Sequence, residues 1–207
     1  MLECGLLSLD TLDLSLNEQD AWTQPDLILG QTCGVPYRKF LYNKVNLIGT
    51  PNFGIIDCPT SYYSSVFITN IQDNRSDLIE FKNSVFAYNM ENYQSGLAAA
   101  SDHTQKIGFW FSNHVITDGH TESSKIVANG QAAIACLVSI SWRLLQRYSP
   151  ISEKLKVIAE TKPSPYFPYI SATRYNSETH FYAIERAIKN LDMIDKKILG
   201  KFRMGFN

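Results

Sequence analysis

The sequence has no apolar run that approaches the length of a bilayer span, which excludes a spanning helix. It also lacks an excess of either charge. The formal net charge is -1, so no global field favours nucleic acid or an acidic membrane. Cysteine is sparse: Cys4, Cys33, Cys58 and Cys136 show no C-x-x-C spacing, which argues against a zinc ribbon or a thioredoxin-type motif. His114 and His120 are too far apart to be adjacent ligands on one helix, so no metal site and no cofactor are expected. No helix-turn-helix, internal repeat or low-complexity tract is present. The start, Met1-Leu2-Glu3-Cys4-Gly5, carries an early acid and no basic n-region, so it does not read as a signal peptide. Either the mature protein stays in the cytoplasm or an export segment is missing from this chain.

What is present is ordinary globular material. The 207 residues, 44% of them apolar and 19% charged, suffice for one domain or two small lobes. Short apolar runs alternate with helical patterns. Asp26 to Gly30, Val45 to Gly49, Ser64 to Thr69, Ser84 to Tyr88, Ile107 to Phe111, Ala133 to Leu137 and Lys156 to Thr161 read as strands. Pro36 suits the first turn of a helix through Leu41, and Asp77 with Glu80 has capping-box spacing. Helices are expected from about Ser95, over Ser123 to Ala128 before Asn129-Gly130, and over Ser139 to Tyr148. A last amphipathic helix from about Glu178 places Phe181, Ile184, Ile188 and Leu191 on one face. The alternation predicts an α/β fold with a mainly parallel sheet. Cys33 and Cys58 both sit beside turn residues; a disulfide in an oxidising compartment and two separate half-buried thiols fit their positions equally well.

Two turns stand out: Asn89 to Gly96 and Thr117 to Ser123. Each follows an apolar run and opens a helix with small polar residues at its start. A helix start presents unbonded N–H groups and the positive end of the helix dipole, so two together suggest a pocket for a small oxyanion. Both turns fall at the carboxyl ends of strands, where open α/β sheets hold ligands.

An ordered set of local patterns resembles the phosphate/phosphonate-type substrate-binding proteins of ABC transporters. The set runs from Pro25 to Pro36, through Leu47-Ile48-Gly49-Thr50-Pro51, Cys58 with Tyr62 and Ser64, and Ala87-Tyr88-Asn89. It continues with Gln94-Ser95-Gly96, Gly119-His120 and Ser141-Trp142, and ends at Thr161 to Pro165. The resemblance implies a two-lobed periplasmic-binding-protein fold of type II, with Ser64 to Thr69 and Lys156 to Thr161 as hinge strands. Residues 1–65 and 158–207 then form lobe 1, with part of that lobe lacking, and residues 66–157 form lobe 2. It further implies a non-catalytic, extracytoplasmic or periplasmic protein that feeds a small phosphorus oxyanion to a transporter permease. By the same resemblance Asn89, Gln94, Ser95, Gly96 and His120 bind the ligand, and Tyr62 and Gln31 close the cleft from the first lobe. Each buried, charge-assisted contact is worth about 1.5–3 kcal/mol.

Three departures from the family pattern stand out. Ala133 and Val138 occupy positions where the family usually carries acids, so an aminophosphonate is disfavoured as ligand. The family's first strand and its tyrosine-bearing turn have no clear counterpart before Trp22, and the chain stops at Asn207 where relatives continue. The simpler readings are that Ser95-Gly96 is only a helix cap and that His120 is a satisfied histidine. Two other functions fit parts of the chain: an effector-sensing domain acting through a partner protein, or an enzyme with Cys33 as nucleophile and His120 as base. No third group is evident to orient such a base.

Overall fold

The computed structural model describes residues 15–52, 55 and 58–191. The chain divides into two compact units: Met1–Gly54 with Pro165–Asn207, and Ile55–Ser164. Both strands expected as crossovers therefore lie whole within the second unit, as does Tyr62.

The described part of the first unit is built on an antiparallel sheet. Strand β1 (Gly30–Gln31) pairs with β10 (Tyr169–Ala172), which pairs with β2 (Val45–Gly49). Helix α1 (Glu18–Trp22) is capped by Asn17, whose side chain accepts from the Asp20 N–H. Helix α2 (Gly34–Pro36) runs directly into a π-helical turn over Tyr37–Leu41, as Pro36 and the following residues predict. The strand expected over Asp26 to Gly30 is shorter and later. The Leu27 N–H closes a turn onto the Gln24 carbonyl and the Leu27 carbonyl accepts from the Ala172 N–H, but the regular ladder begins at Gly30. The last described helix is α6 (Ser177–Lys189), capped by the Asn176 side chain. Its buried face is set by His180 and Ala183, whereas Phe181 stays 47% exposed. The apolar stripe is thus rotated by about one residue from the expected one, because the buried His180 ring, bonded through Nδ1 to the Asn176 carbonyl at 2.9 Å, takes the inward position.

The second unit holds a five-stranded mixed sheet. The two-residue strand β3 (Tyr62–Tyr63) leads into β4 (Ser65–Asn70), and β5 (Val85–Tyr88), β6 (Asn113–Ile116), β7 (Ile134–Val138) and β8 (Leu155–Glu160) follow. Ser164, the last residue of the unit, begins the short β9 (Ser164–Pro165). The order is β6-β5-β7-β4-β8. Strands β5, β6 and β7 are parallel, as expected, but β4 runs antiparallel to both β7 and β8. Chain direction explains this departure. The chain enters the unit through β4 and leaves through β8, so the two carry it in opposite senses and cannot both match the βα succession.

Central strands buried on both faces should read as continuous apolar runs. All five residues of β7 are buried. Val66, Ile68, Ala135 and Leu137 pack on one face with Val127, Trp142 and Leu145 of helices α4 (His120–Ala128) and α5 (Ser139–Tyr148). Phe67, Ile134 and Cys136 point to the other face, with Phe81, Phe86 and Ala100. Ala100 belongs to α3 (Ala99–Lys106). The strand expected over Ile107 to Phe111 is instead a turn and an aromatic plug. Gly108 adopts φ +90 after α3, and Phe111 stacks on Phe86 at 4.4 Å. The strand in that region is β6, an edge strand exposed along its length. Cys33, Cys58 and Cys136 carry thiols rather than a bridge.

Candidate oxyanion site at the carboxyl ends of the parallel strands

Each of β5, β6 and β7 is followed by a helix that begins at the same edge of the sheet. After β5 and the turn from Asn89 the chain enters a π-helical turn, Gln94–Ala98, continuous with α3. After β6, residues 117–119 lead to α4; after β7, α5 starts at once. None of the three starts has a side-chain cap: Tyr93, Gly119 and Val138 occupy the cap positions. Their first-turn N–H groups are left without the usual side-chain acceptor.

The first two starts meet. Ser95 Oγ lies 3.1 Å from His120 Nε2, although the residues are 25 apart in sequence. Ser95 is buried at the head of its helix, and its carbonyl accepts from the Cys136 thiol of β7 at 3.4 Å. The β6–α4 turn is fixed by Thr117, whose N–H and hydroxyl both donate to the Tyr88 carbonyl. Asp118 at φ +60 then reverses the chain into Gly119.

Gly96 is required by close approach. A Cβ there would lie 1.9 Å from Asn89 Oδ1, so only glycine lets the buried Asn89 side chain sit against the first helical turn.

Buried polar atoms normally find partners. At this edge Asn89 Oδ1, His120 Nδ1 and Ser139 Oγ do not, nor does Ser65 Oγ, opposite Val138 at the start of β4. His120 as a residue is only half-buried, but its Nδ1 is sealed. That burial pushes its pKa down to about 4, so the imidazole is neutral near pH 7. Nε2 is the nitrogen with a partner, and a proton on the sealed Nδ1 would be an unsatisfied donor. Nε2–H therefore donates to Ser95 Oγ, leaving the Ser95 hydroxyl hydrogen to point onward. Burial also raises the Cys136 thiol far above its ordinary range, so it stays protonated.

Of the seven residues expected in the site, the structure brings Asn89, Ser95, Gly96 and His120 together. Gln94 heads the same turn, but its amide reaches the Ser164 hydroxyl at 3.4 Å. Tyr62 lies in β3 and is 39% exposed. Gln31 belongs to the other unit, where its amide donates to the Phe167 carbonyl and its carbonyl accepts from Trp22 Nε1. Ser139 was not among the expected residues. Its signal was a small polar residue heading a helix directly after an apolar strand, the same pattern that marks Ser95. Ser64 was likewise outside that set; it accepts the Ser139 N–H at its carbonyl and donates its hydroxyl to Glu160. Ala133 lies at the opposite end of β7, where its carbonyl accepts from Thr69, so its identity cannot act on a ligand here. Val138, at the site end, is buried.

Comparison with known proteins identifies the family and the fold. The family described as the periplasmic substrate-binding protein of phosphonate ABC transporters matches residues 44–206. No curated protein matches the chain. Among solved structures, PhnD1 from Prochlorococcus marinus in complex with methylphosphonate superposes with a TM-score of 0.65 at 17% identity, covering 86% of this chain and 71% of that one. XAC2383 from Xanthomonas citri bound to ATP gives 0.64 at 11% identity, covering 86% and 76%. A binding-protein component of a phosphonate transporter from Pseudomonas aeruginosa gives 0.60 at 17% identity, covering 78% and 56%. At these identities the structural likeness establishes the type II periplasmic-binding-protein fold, and the family match establishes descent: the chain belongs to the phosphonate periplasmic substrate-binding family of ABC transporters.

Proposed function

We propose that this protein binds a small phosphorus oxyanion (phosphate, a phosphonate or a phosphate ester) without transforming it, and delivers it to an ABC transporter permease. The family is periplasmic, and no described helix is long and apolar enough to cross a membrane. The observation that carries the reading is the 3.1 Å contact between Ser95 and His120 at two helix starts that no side chain caps. Ser95 Oγ–H and the first-turn N–H groups at Gly96 and Thr121 supply donors to the oxyanion. His120 orients the hydroxyl, and Asn89 braces the turn. Because the inward side chain at the site end of β7 is Val138, the ligand carries no amine that needs a carboxylate there.

The state of His120 supports a reading of binding rather than catalysis. Nδ1 has no group to orient it, and a pKa of about 4 makes the imidazole a weak base near pH 7. Nε2 faces Ser95.

A thermal-shift panel of inorganic phosphate, methylphosphonate and a phosphate monoester tests the proposal. At a hundredfold excess over Kd the expected stabilisation is about 2.7 kcal/mol, a rise of about 5–10 °C in Tm at this chain length. No shift with any of them at millimolar concentration would overturn it.

A further inference from the structure

Strand β7, which runs beneath the Ser95 turn, is buried along its whole length and reads Ile-Ala-Cys-Leu-Val. Its one residue outside the plain hydrocarbons, Cys136, is fully buried in a cluster with Phe67, Phe86 and Ile134. Packing alone would be served by an alanine or a valine at this position. The thiol differs from both in having a proton to donate.

That proton goes to the Ser95 carbonyl, 3.4 Å from the sulfur. Ser65 also lies near the thiol, but its hydroxyl makes no hydrogen bond. Burial keeps the thiol protonated, so the donor is present near pH 7.

The acceptor carbonyl shares a planar peptide unit with the Gly96 N–H, and in a trans peptide the two point in opposite directions. Holding the carbonyl onto β7 therefore turns the Gly96 N–H away from the strand. Gly96 stands in the first turn of its helix, where an N–H has no carbonyl one turn back to bond. The adjacent Asn89 does not take it either. Asn89 Oδ1 would lie 1.9 Å from a Cβ on Gly96, yet it accepts no hydrogen bond. The residue whose carbonyl the thiol holds also carries the hydroxyl that meets His120 Nε2 at 3.1 Å. One contact from the sheet thus bears on two donors of the cradle. The turn it holds is π-helical, a rare form that recurs at functional sites.

We infer that Cys136 is a positioning residue for the oxyanion site: its thiol holds the Ser95 carbonyl against the sheet, so that the Gly96 N–H and the Ser95 hydroxyl face the ligand. This rests on the proposed oxyanion site and names what aims its donors. The sulfur itself touches no ligand, and no covalent bond changes.

Three replacements separate aiming from packing. Cys136→Ala and Cys136→Val remove the donor, one leaving space and the other filling it. Cys136→Ser keeps a donor but places a hydroxyl in an apolar core, which costs stability. A residue that only packs would leave Cys136→Val the best binder and Cys136→Ser the worst. A residue that aims the cradle reverses that order. In calorimetric titration of the full chain with methylphosphonate, Kd should rise about fivefold in Cys136→Ala and Cys136→Val, the loss of one weak hydrogen bond, and stay within about twofold in Cys136→Ser. The Gly96 amide resonance of the ligand-free chain gives a second readout. It should move in Cys136→Ala and Cys136→Val and stay near its original position in Cys136→Ser. An unchanged Kd or an unchanged Gly96 resonance in Cys136→Val would overturn the positioning role while leaving the oxyanion site intact, as would weaker binding by Cys136→Ser than by Cys136→Val. Absence of methylphosphonate binding by the unaltered chain would instead overturn the site itself, and this role with it.

Discussion

The two edges of the second unit's sheet are finished in opposite ways. At the edge where β4 ends and β5 begins, polar groups are satisfied by the chain itself. Arg75 donates to both Asp73 oxygens and to Ser84, and its guanidinium lies 3.9 Å over the Phe81 ring. This guanidinium holds the Asp73 carboxyl below its ordinary range. The adjoining 3-10 turn, Leu78–Phe81, has a full capping box from Asp77 and Glu80. At the other edge three helix starts are uncapped, and Asn89, His120 and Ser139 keep buried atoms without partners. Same sheet, same chain, different purpose. Local stability is completed at one edge, and at the other it is left for something outside the chain to complete.

Substitutions at the two edges should therefore separate binding from stability. The largest effect is expected for Ser95→Phe, which fills the cradle. Affinity for methylphosphonate should fall at least a hundredfold in a calorimetric titration, and an unchanged affinity would move the ligand elsewhere. Acid should act next. His120 binds a proton near pH 6.5 when unfolded but only near pH 4 when folded, so the unfolded chain holds more protons between those values. Its contribution is full above pH 6.5 and is lost as pH falls towards 4, by up to about 3 kcal/mol. Urea denaturation across that window should show this slope, and His120→Asn should flatten it.

Gly96→Ala drives a methyl group into Asn89 Oδ1 and should cost about 1–3 kcal/mol, together with ligand affinity. Asn89→Ala in the same chain should restore part of both, because it removes the atom in the way; additive losses in the double variant would break the steric account. The smallest effect belongs to the satisfied edge. Asp77→Ala should lower stability by about 1 kcal/mol and leave the methylphosphonate Kd unchanged.

Much of this was legible in the sequence where the signal is local. The capping residues Asp77 and Glu80, the helix Ser139–Tyr148 and the Ser95 and His120 helix starts all depend on neighbours within a few positions. What was not legible depends on partners far along the chain. The antiparallel course of β4 follows from where the chain enters and leaves the unit, which no window of residues records. The aromatic run Phe109-Trp110-Phe111 has strand composition, yet Gly108 in the left-handed region turns it and Phe86 receives it. Phe181 has the right period for a buried stripe but the wrong phase, because the inward place is taken by His180. Ser139 shows only as a helix start until its hydroxyl is seen to lack a partner. Gly96 reads as a cap residue until the Asn89 side chain is seen against it.

The contrast between the edges can be measured directly by following backbone amide resonances while inorganic phosphate is titrated into the full chain. The amides of Gly96 and Thr121 should move downfield together with one saturation curve, while those of Asp77 and Ile79, already served by the Asp77–Glu80 box, stay in place. Equal movement at both edges, or none at Gly96 and Thr121 up to millimolar phosphate, would contradict the claim that these open helix starts receive the oxyanion.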